Sequence, residues 1–168
     1  MLWQDETVDG IKTGHTEAAG YCLVASSVRN DMRLISIVLS TASEKTRATE
    51  SQQLLNYGFR FFRTAKIYEA GEVVKETRIW MGRERTIPLG VTDDLYLTLP
   101  RDSFDALTSE IELSEYIKAP ARIGQQFGRS VLKSGEEVVG EVPLLALRKI
   151  EEGGIFTRMK DSILRHFK

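Results

Sequence analysis

Near the start of the chain stands Val8-Asp-Gly-Ile-Lys12-Thr-Gly-His15-Thr-Glu-Ala-Ala-Gly20, where a lysine, a hydroxyl and a bare glycine precede the first clear strand-like run. On an extended backbone these three residues have separate capacities. Lys12 supplies a compact positive charge, Thr13 a hydroxyl that can hold a carboxylate, and Gly14 an open backbone along which an extended peptide can pair. Three letters recur by chance, and the plain reading of them is a solvated lysine in a Gly-flanked strand or turn. A phosphate loop is excluded, because it needs Gly-x-x-x-x-Gly-Lys-Ser/Thr and here Lys12 comes before Gly14.

The remaining chemistry-bearing residues are few. Cys22 is the only cysteine, and His15 and His166 are the only histidines, so neither an intrachain disulfide nor a Cys/His zinc site can be built. No metal site and no cofactor are expected. Cys22, inside Tyr21-Cys-Leu-Val-Ala25, reads as a small core-facing residue rather than a nucleophile. One Ser-x-x-Lys sequence exists, Ser130-Val-Leu-Lys133, in a strand-like stretch. That chemistry needs serine and lysine on one helical face, whereas a strand sends an i, i+3 pair to opposite faces. It is read as a chance match, and no Ser-x-Asn occurs anywhere in the chain.

The 23 Lys and Arg against 24 Asp and Glu give a net charge of −1, which leaves no strongly basic surface for nucleic acid. With 42% apolar and 28% charged residues, the 168-residue chain has an ordinary globular composition and can bury one or two cores. The acidic start lacks the positive end and apolar run of a signal peptide, and no stretch reaches the roughly 18 apolar residues of a spanning helix.

The elements that must position the lysine and its neighbours follow from hydrophobic periodicity. Residues 21–28 and 34–40 are β-branched and apolar, read as strands covered on both faces, with Arg29-Asn-Asp-Met-Arg33 as the hinge of a hairpin. Residues 43–62 read as a helix with caps at Ser43, Thr46 or Thr49 and with Leu55, Phe59 and Phe62 on one face. From Thr64 onward short stretches, 119–123 and the pair 138–142 and 144–147 among them, are broken by Gly71, Gly82, Gly90, Pro100, Pro120, Gly128, Gly135 and Pro143, the spacing of a small antiparallel sandwich or barrel. After Gly153-Gly154 the last segment has helical period. On a wheel turning about 100° per residue, Ile155, Phe156, Met159, Ile163 and Phe167 gather on one side and Arg158, Arg165 and Lys168 lie across from them.

Taken together, Asp9-Gly-Ile-Lys-Thr-Gly-His-Thr16, Ala19-Gly-Tyr, Leu23-Val-Ala-Ser, Met32-Arg-Leu-Ile-Ser36, Glu50-Ser51 and Tyr57-Gly-Phe-Arg-Phe-Phe62 resemble the low-molecular-mass penicillin-binding proteins, the serine-type D-alanyl-D-alanine carboxypeptidases. The resemblance continues through Leu89-Gly, Leu95-Tyr-Leu-Thr-Leu-Pro100, Ala119-Pro120 and Pro143-Leu-Leu-Ala-Leu. It implies an enzyme that removes the terminal D-alanine from peptidoglycan stem peptides and is acylated by β-lactams. Lys12 would be a catalytic residue, and Thr13, Gly14 and His15 would bind substrate. Arg47 stands where the family has an arginine near the cleft, so it could hold the peptide's terminal carboxylate; a solvated first-turn arginine is the rival reading. The family's Ser-x-x-Lys nucleophile lies upstream of Lys-Thr-Gly, and only 11 residues precede Lys12. The chain thus reads as a C-terminal piece, expected to be inactive alone.

The expected fold is α+β and mostly β: a partial β-lactamase-like α/β remnant at 1–62, an all-β sandwich at 64–150 and an amphipathic helix at 154–168. The terminal helix either docks on the sandwich or lies in the plane of an anionic membrane through Phe156, Arg158, Met159, Lys160, Ile163, Arg165, Phe167 and Lys168. The resemblance favours the second, at the periplasmic face of the bacterial inner membrane. A homo-oligomer through the exposed sheet of the remnant is a further expectation. A non-catalytic β module that spaces a catalytic domain or docks cell-wall partners is the alternative function.

Overall fold

The computed structural model describes residues 5–166 and is mostly β. The chain divides into two compact units. One holds the residues up to Thr64 together with Thr98–Arg101, and the other holds Ala65–Leu97 with the residues from Asp102 onward.

The first unit begins with an antiparallel sheet of β1 (Val8–Thr16), β2 (Gly20–Arg29) and β3 (Met32–Thr41), in that spatial order. The hinge between β2 and β3 is only Asn30 and Asp31, both at positive φ, the two-residue turn whose twist matches that of the strands. Gly20 also has positive φ, and a Cβ there would stand 3.0 Å from the Thr41 carbonyl oxygen, so glycine is required. The helix α1 (Glu44–Phe61) starts at Ser43, whose hydroxyl accepts the Thr46 backbone N–H at 3.1 Å. Its Leu55 is fully buried against Val8, Leu23 and Ala25, with Leu34 and Phe59 alongside.

Two expectations are corrected here. Phe62 is not on the helix: it is the extended C-cap that opens β4 (Phe62–Tyr68). Arg101 donates to the carbonyls of Phe59 and Arg60 at 3.1 and 3.0 Å, which satisfies the last turn and suits a cation at a helix C-terminus. The apolar run of β3 is covered on one face only. Ser36 bonds Ser51 of α1 and Val38 is buried, whereas Ile35, Ile37 and Leu39 are 58%, 62% and 65% exposed on the alternate face.

In the second unit β5 (Val73–Arg78), β6 (Thr86–Gly90), β8 (Leu107–Leu113), β9 (Gln126–Ser134) and β10 (Glu137–Ala146) form one antiparallel sheet of order β5-β6-β10-β9-β8. β4 pairs instead with β7 (Leu95–Pro100). One core cluster contains Ile79, Ile87, Leu89, Phe127, Leu144 and Ile150, and another Tyr68, Val91 and Leu132. Pro143 does not break the chain into two strands. It sits opposite Arg129 within β10, and β6 pairs β10 only at Leu145 and Ala146, so a missing N–H is tolerated. The expected strand at 119–123 is reduced to a bridge between Ala121 and Ile150. Pro120 removes a ladder donor and the Arg122 N–H turns to the Gln125 side chain.

The last element is α2 (Ile155–His166). Of the two glycines before it only Gly154 has open space; a Cβ on Gly153 would meet the Gly82 carbonyl at 2.8 Å, and the Gly153 N–H donates to Met81 O at 2.8 Å. Asp161 accepts the Met81 N–H at 2.7 Å and pairs with Arg78 at 3.4 Å. Ile155, Phe156 and Met159 are 79%, 85% and 57% exposed. The helix is therefore held by its polar side, and these apolar side chains do not cover the sheet as the docked reading requires. Among the described residues no helix is long and apolar enough to cross a membrane.

Candidate functional site

Lys12, Thr13, Gly14 and His15 all lie on β1, an edge strand, because β2 pairs it on one side only. The register sets Lys12 opposite Val24, Thr13 opposite Leu23, Gly14 opposite Cys22 and His15 opposite Tyr21. Since Leu23 packs toward α1, alternation carries Thr13 to the helix side of the sheet and Lys12 to the other. Lys12 Nζ donates to the Thr13 carbonyl at 2.5 Å.

The capped first turns of α1 bring Arg47 onto this strand. Its guanidinium donates to the Gly14 carbonyl at 3.3 Å and to Glu44 Oε1 at 3.2 Å, and it lies 5.6 Å above the Tyr21 ring. The same ring stacks with His15 at 3.9 Å. The Arg47 side chain is only 12% exposed. Lys12, Thr13, Glu44 and Arg47 line one groove of about 460 Å³ whose lining also includes Leu23 and Ala25. The Arg47 guanidinium and the Glu44 carboxylate beside an apolar lining make a place for an anionic group on a short extended chain, with Lys12 at the edge of the groove. Glu44 is 76% exposed and can swing away from Arg47 in exchange for such a group.

Sequence reading missed Glu44, which nothing but its place in the helix's first turn distinguishes. It also missed the brace behind the strand. Asp5 accepts from Thr7 Oγ1 at 2.6 Å, Gln52 at 2.7 Å and Arg29 at 2.8 Å. The Thr7 hydroxyl first, then Gln52 and the Thr7 N–H, hold the Asp5 carboxyl well below the usual carboxylate range. Asp9, one residue past the start of β1, is likewise held low, first by Arg33 of β3 and then by the Ser26 hydroxyl. Apart from Thr7, two residues from Asp5, these partners are far apart in sequence, and no local spacing announces them. Cys22 is half-buried with a free thiol. Ser130 and Lys133 are separated as alternation requires: Ser130 bonds Tyr68 and Ser109, while Lys133 pairs with Glu110. Among the described residues no cluster of His, Cys, Asp and Glu could hold a metal ion.

Phe156, Arg158, Met159 and Lys160 stand on α2, Arg158 pairing with Glu152 at 3.1 Å. Ile163 and Arg165 fall on the same helix, and Phe167 and Lys168 lie outside the described residues.

Residues 62–152 match the family described as penicillin-binding protein 5, C-terminal domain. The chain belongs to that family. Residues 1–43 also match the D-alanyl-D-alanine carboxypeptidase family, which makes the chain's affiliation that of the low-molecular-mass penicillin-binding proteins. The D-alanyl-D-alanine carboxypeptidase DacC of Escherichia coli strain K12 is 36% identical over 99% of this chain and 42% of its own length. DacA of the same organism is 39% identical over 97% of this chain and 41% of its own. The solved penicillin binding protein 5 from Haemophilus influenzae is 36% identical, with a TM-score of 0.83 over 90% of this chain and 45% of that one. The chain thus spans about two-fifths of the length of the curated relatives it matches.

Proposed function

We propose that the chain is the C-terminal part of a serine-type D-Ala-D-Ala carboxypeptidase that removes the terminal D-alanine from peptidoglycan stem peptides. The observation that carries this reading is Arg47 on the Gly14 carbonyl, beside Lys12 and Thr13 in one groove. In the reading, Lys12 supplies positive charge at the reacting centre. Thr13 and Arg47 hold the peptide carboxylate, Gly14 leaves room for the extended peptide, and the His15 N–H contributes to the oxyanion site. β-Lactams, which carry a carboxylate beside a reactive carbonyl, would occupy the same groove. The division of labour is 1–62 for the sheet-and-helix part of the catalytic domain, 64–150 for an all-β sandwich, and 154–168 for a helix lying on an anionic membrane at the periplasmic face. The exposed Ile155, Phe156 and Met159 support the last assignment.

No Ser-x-x-Lys on a helix and no Ser-x-Asn stand in these 168 residues, so no hydroxyl is set to attack. Incubation with benzylpenicillin followed by intact-protein mass spectrometry tests this: the mass is expected to stay unchanged, and an added penicilloyl group would overturn it. A second reading, a β module that spaces a catalytic domain or docks cell-wall partners, draws on the family match at 62–152. The catalytic reading is preferred because the groove at residues 12–47 lies outside that match.

A further inference from the structure

Beside α2 lies a groove of about 680 Å³ whose lining is strongly cationic: Arg78, Arg83, Arg85 and Lys160, with Glu84 and Asp161 as the acids. Both acids are committed elsewhere. Glu84 pairs with Arg148 at 2.7 Å, and Asp161 is taken up by the Met81 N–H and Arg78. Arg78 is further fixed by stacking on Trp80, 3.5 Å from its ring. Arg83 has only a 3.5 Å contact with the exposed Glu151, and among the described residues Arg85 and Lys160 have no ion-pair partner. Positive charge is thus left unbalanced at the turn between β5 and β6, where the chain's overall charge of −1 gives no reason for it.

Phe156, which also lines the groove, is 85% exposed, and Ile155 and Met159 stand free on the same helix. Guanidinium forks suit phosphate oxygens, and apolar side chains beside them suit acyl chains. We infer that this groove, built from the β5–β6 turn and the first turns of α2, binds the phosphodiester headgroup of an anionic lipid. The inference rests on the membrane assignment of α2 and adds a headgroup site outside the helix. It makes the second unit itself, not the helix alone, a reader of the membrane surface.

The test is cosedimentation of the full chain with phosphatidylglycerol and with phosphatidylcholine vesicles at low salt. Three variants are compared: Arg83→Ala/Arg85→Ala, a charge-matched control Lys75→Ala/Arg122→Ala outside the groove, and deletion of 155–168. The groove pair is expected to lose roughly thirtyfold in partitioning to anionic vesicles, the scale set by two arginines at a surface, while the control changes by less than about twofold. Equal losses in both double variants would reduce the effect to long-range charge and overturn the site. So would full binding by Arg83→Ala/Arg85→Ala when the deletion abolishes it, although the helix assignment would then stand. Wild-type binding by the deletion, which takes Phe156 and Lys160 from the groove, would overturn both the helix assignment and the site. Saturable binding of inorganic phosphate without vesicles, lost in the groove pair, would transfer the site to a soluble phosphate and refute the lipid reading.

Discussion

Arg47 joins a helix turn to a strand edge, and its value to the candidate site depends on three partners at once. Replacing it with alanine removes the donor to Gly14 and the cation above Tyr21, so binding of a D-Ala-D-Ala peptide is expected to fall roughly tenfold or more, the scale of a lost charge-assisted bond. Arg47→Lys keeps the charge without the fork and should recover only part of it; isothermal titration of both variants measures the difference. Asp5 gives a prediction of another kind. Its carboxyl is held below the range of about 4 that it has in the unfolded chain, so the stability it contributes is fully present above that range and is lost as pH falls through the lower folded value. Asp5→Asn should therefore lower stability at neutral pH and flatten the acid limb of a urea-unfolding profile. An unchanged acid limb would remove Asp5 from the brace.

At the scale of elements, close approaches decide what each strand tolerates. A Cβ at Gly90 would stand 1.9 Å from the Glu72 carbonyl oxygen, a backbone atom that cannot swing away, whereas at Gly140 the nearest atom is a leucine methyl at 3.5 Å. Gly90→Ala should cost about 3 kcal/mol or more by denaturant unfolding, and Gly140→Ala well under that. In the first unit Leu55→Ala should cost about 2–5 kcal/mol, because Leu55 is the helix's fully buried anchor. Much of this level was legible in the sequence. The Lys-Thr-Gly strand, the β2–β3 hairpin, the Ser43 cap and the buried Leu55 all follow from local pattern and capping chemistry. What was not legible depended on distant partners: Phe62 leaves the helix because Arg101 closes its end, and Pro143 stays in a strand because β6 stops short of it. The 119–123 run looked like a strand by composition, but it is held by isolated contacts, the Ala119 N–H on the Trp80 carbonyl and the bridge of Ala121 with Ile150, and not by a continuous ladder. In the candidate site, the residue types of 12–15 spoke from sequence. The contact that unites them with Arg47 needed the fold.

For the molecule as a whole, the exposed Ile35, Ile37 and Leu39 form an apolar stripe beside an unpaired sheet edge, a combination that natural sheets avoid leaving open. Association of the chain through this face is expected in light scattering and should weaken in Ile37→Lys; a clean monomer at high concentration would count against it. Under the proposed function the first unit is a half-cleft that would carry the wall for a substrate and not the hydroxyl that attacks it. The most direct measurement of that claim is a titration of the isotope-labelled chain with an acetylated D-Ala-D-Ala peptide, followed by amide chemical shifts. Shifts are expected only at Lys12, Thr13, Gly14, His15 and the first turns of α1, and they should be lost in Arg47→Ala. Shifts clustered between β8 and β10, or none along β1, would contradict it.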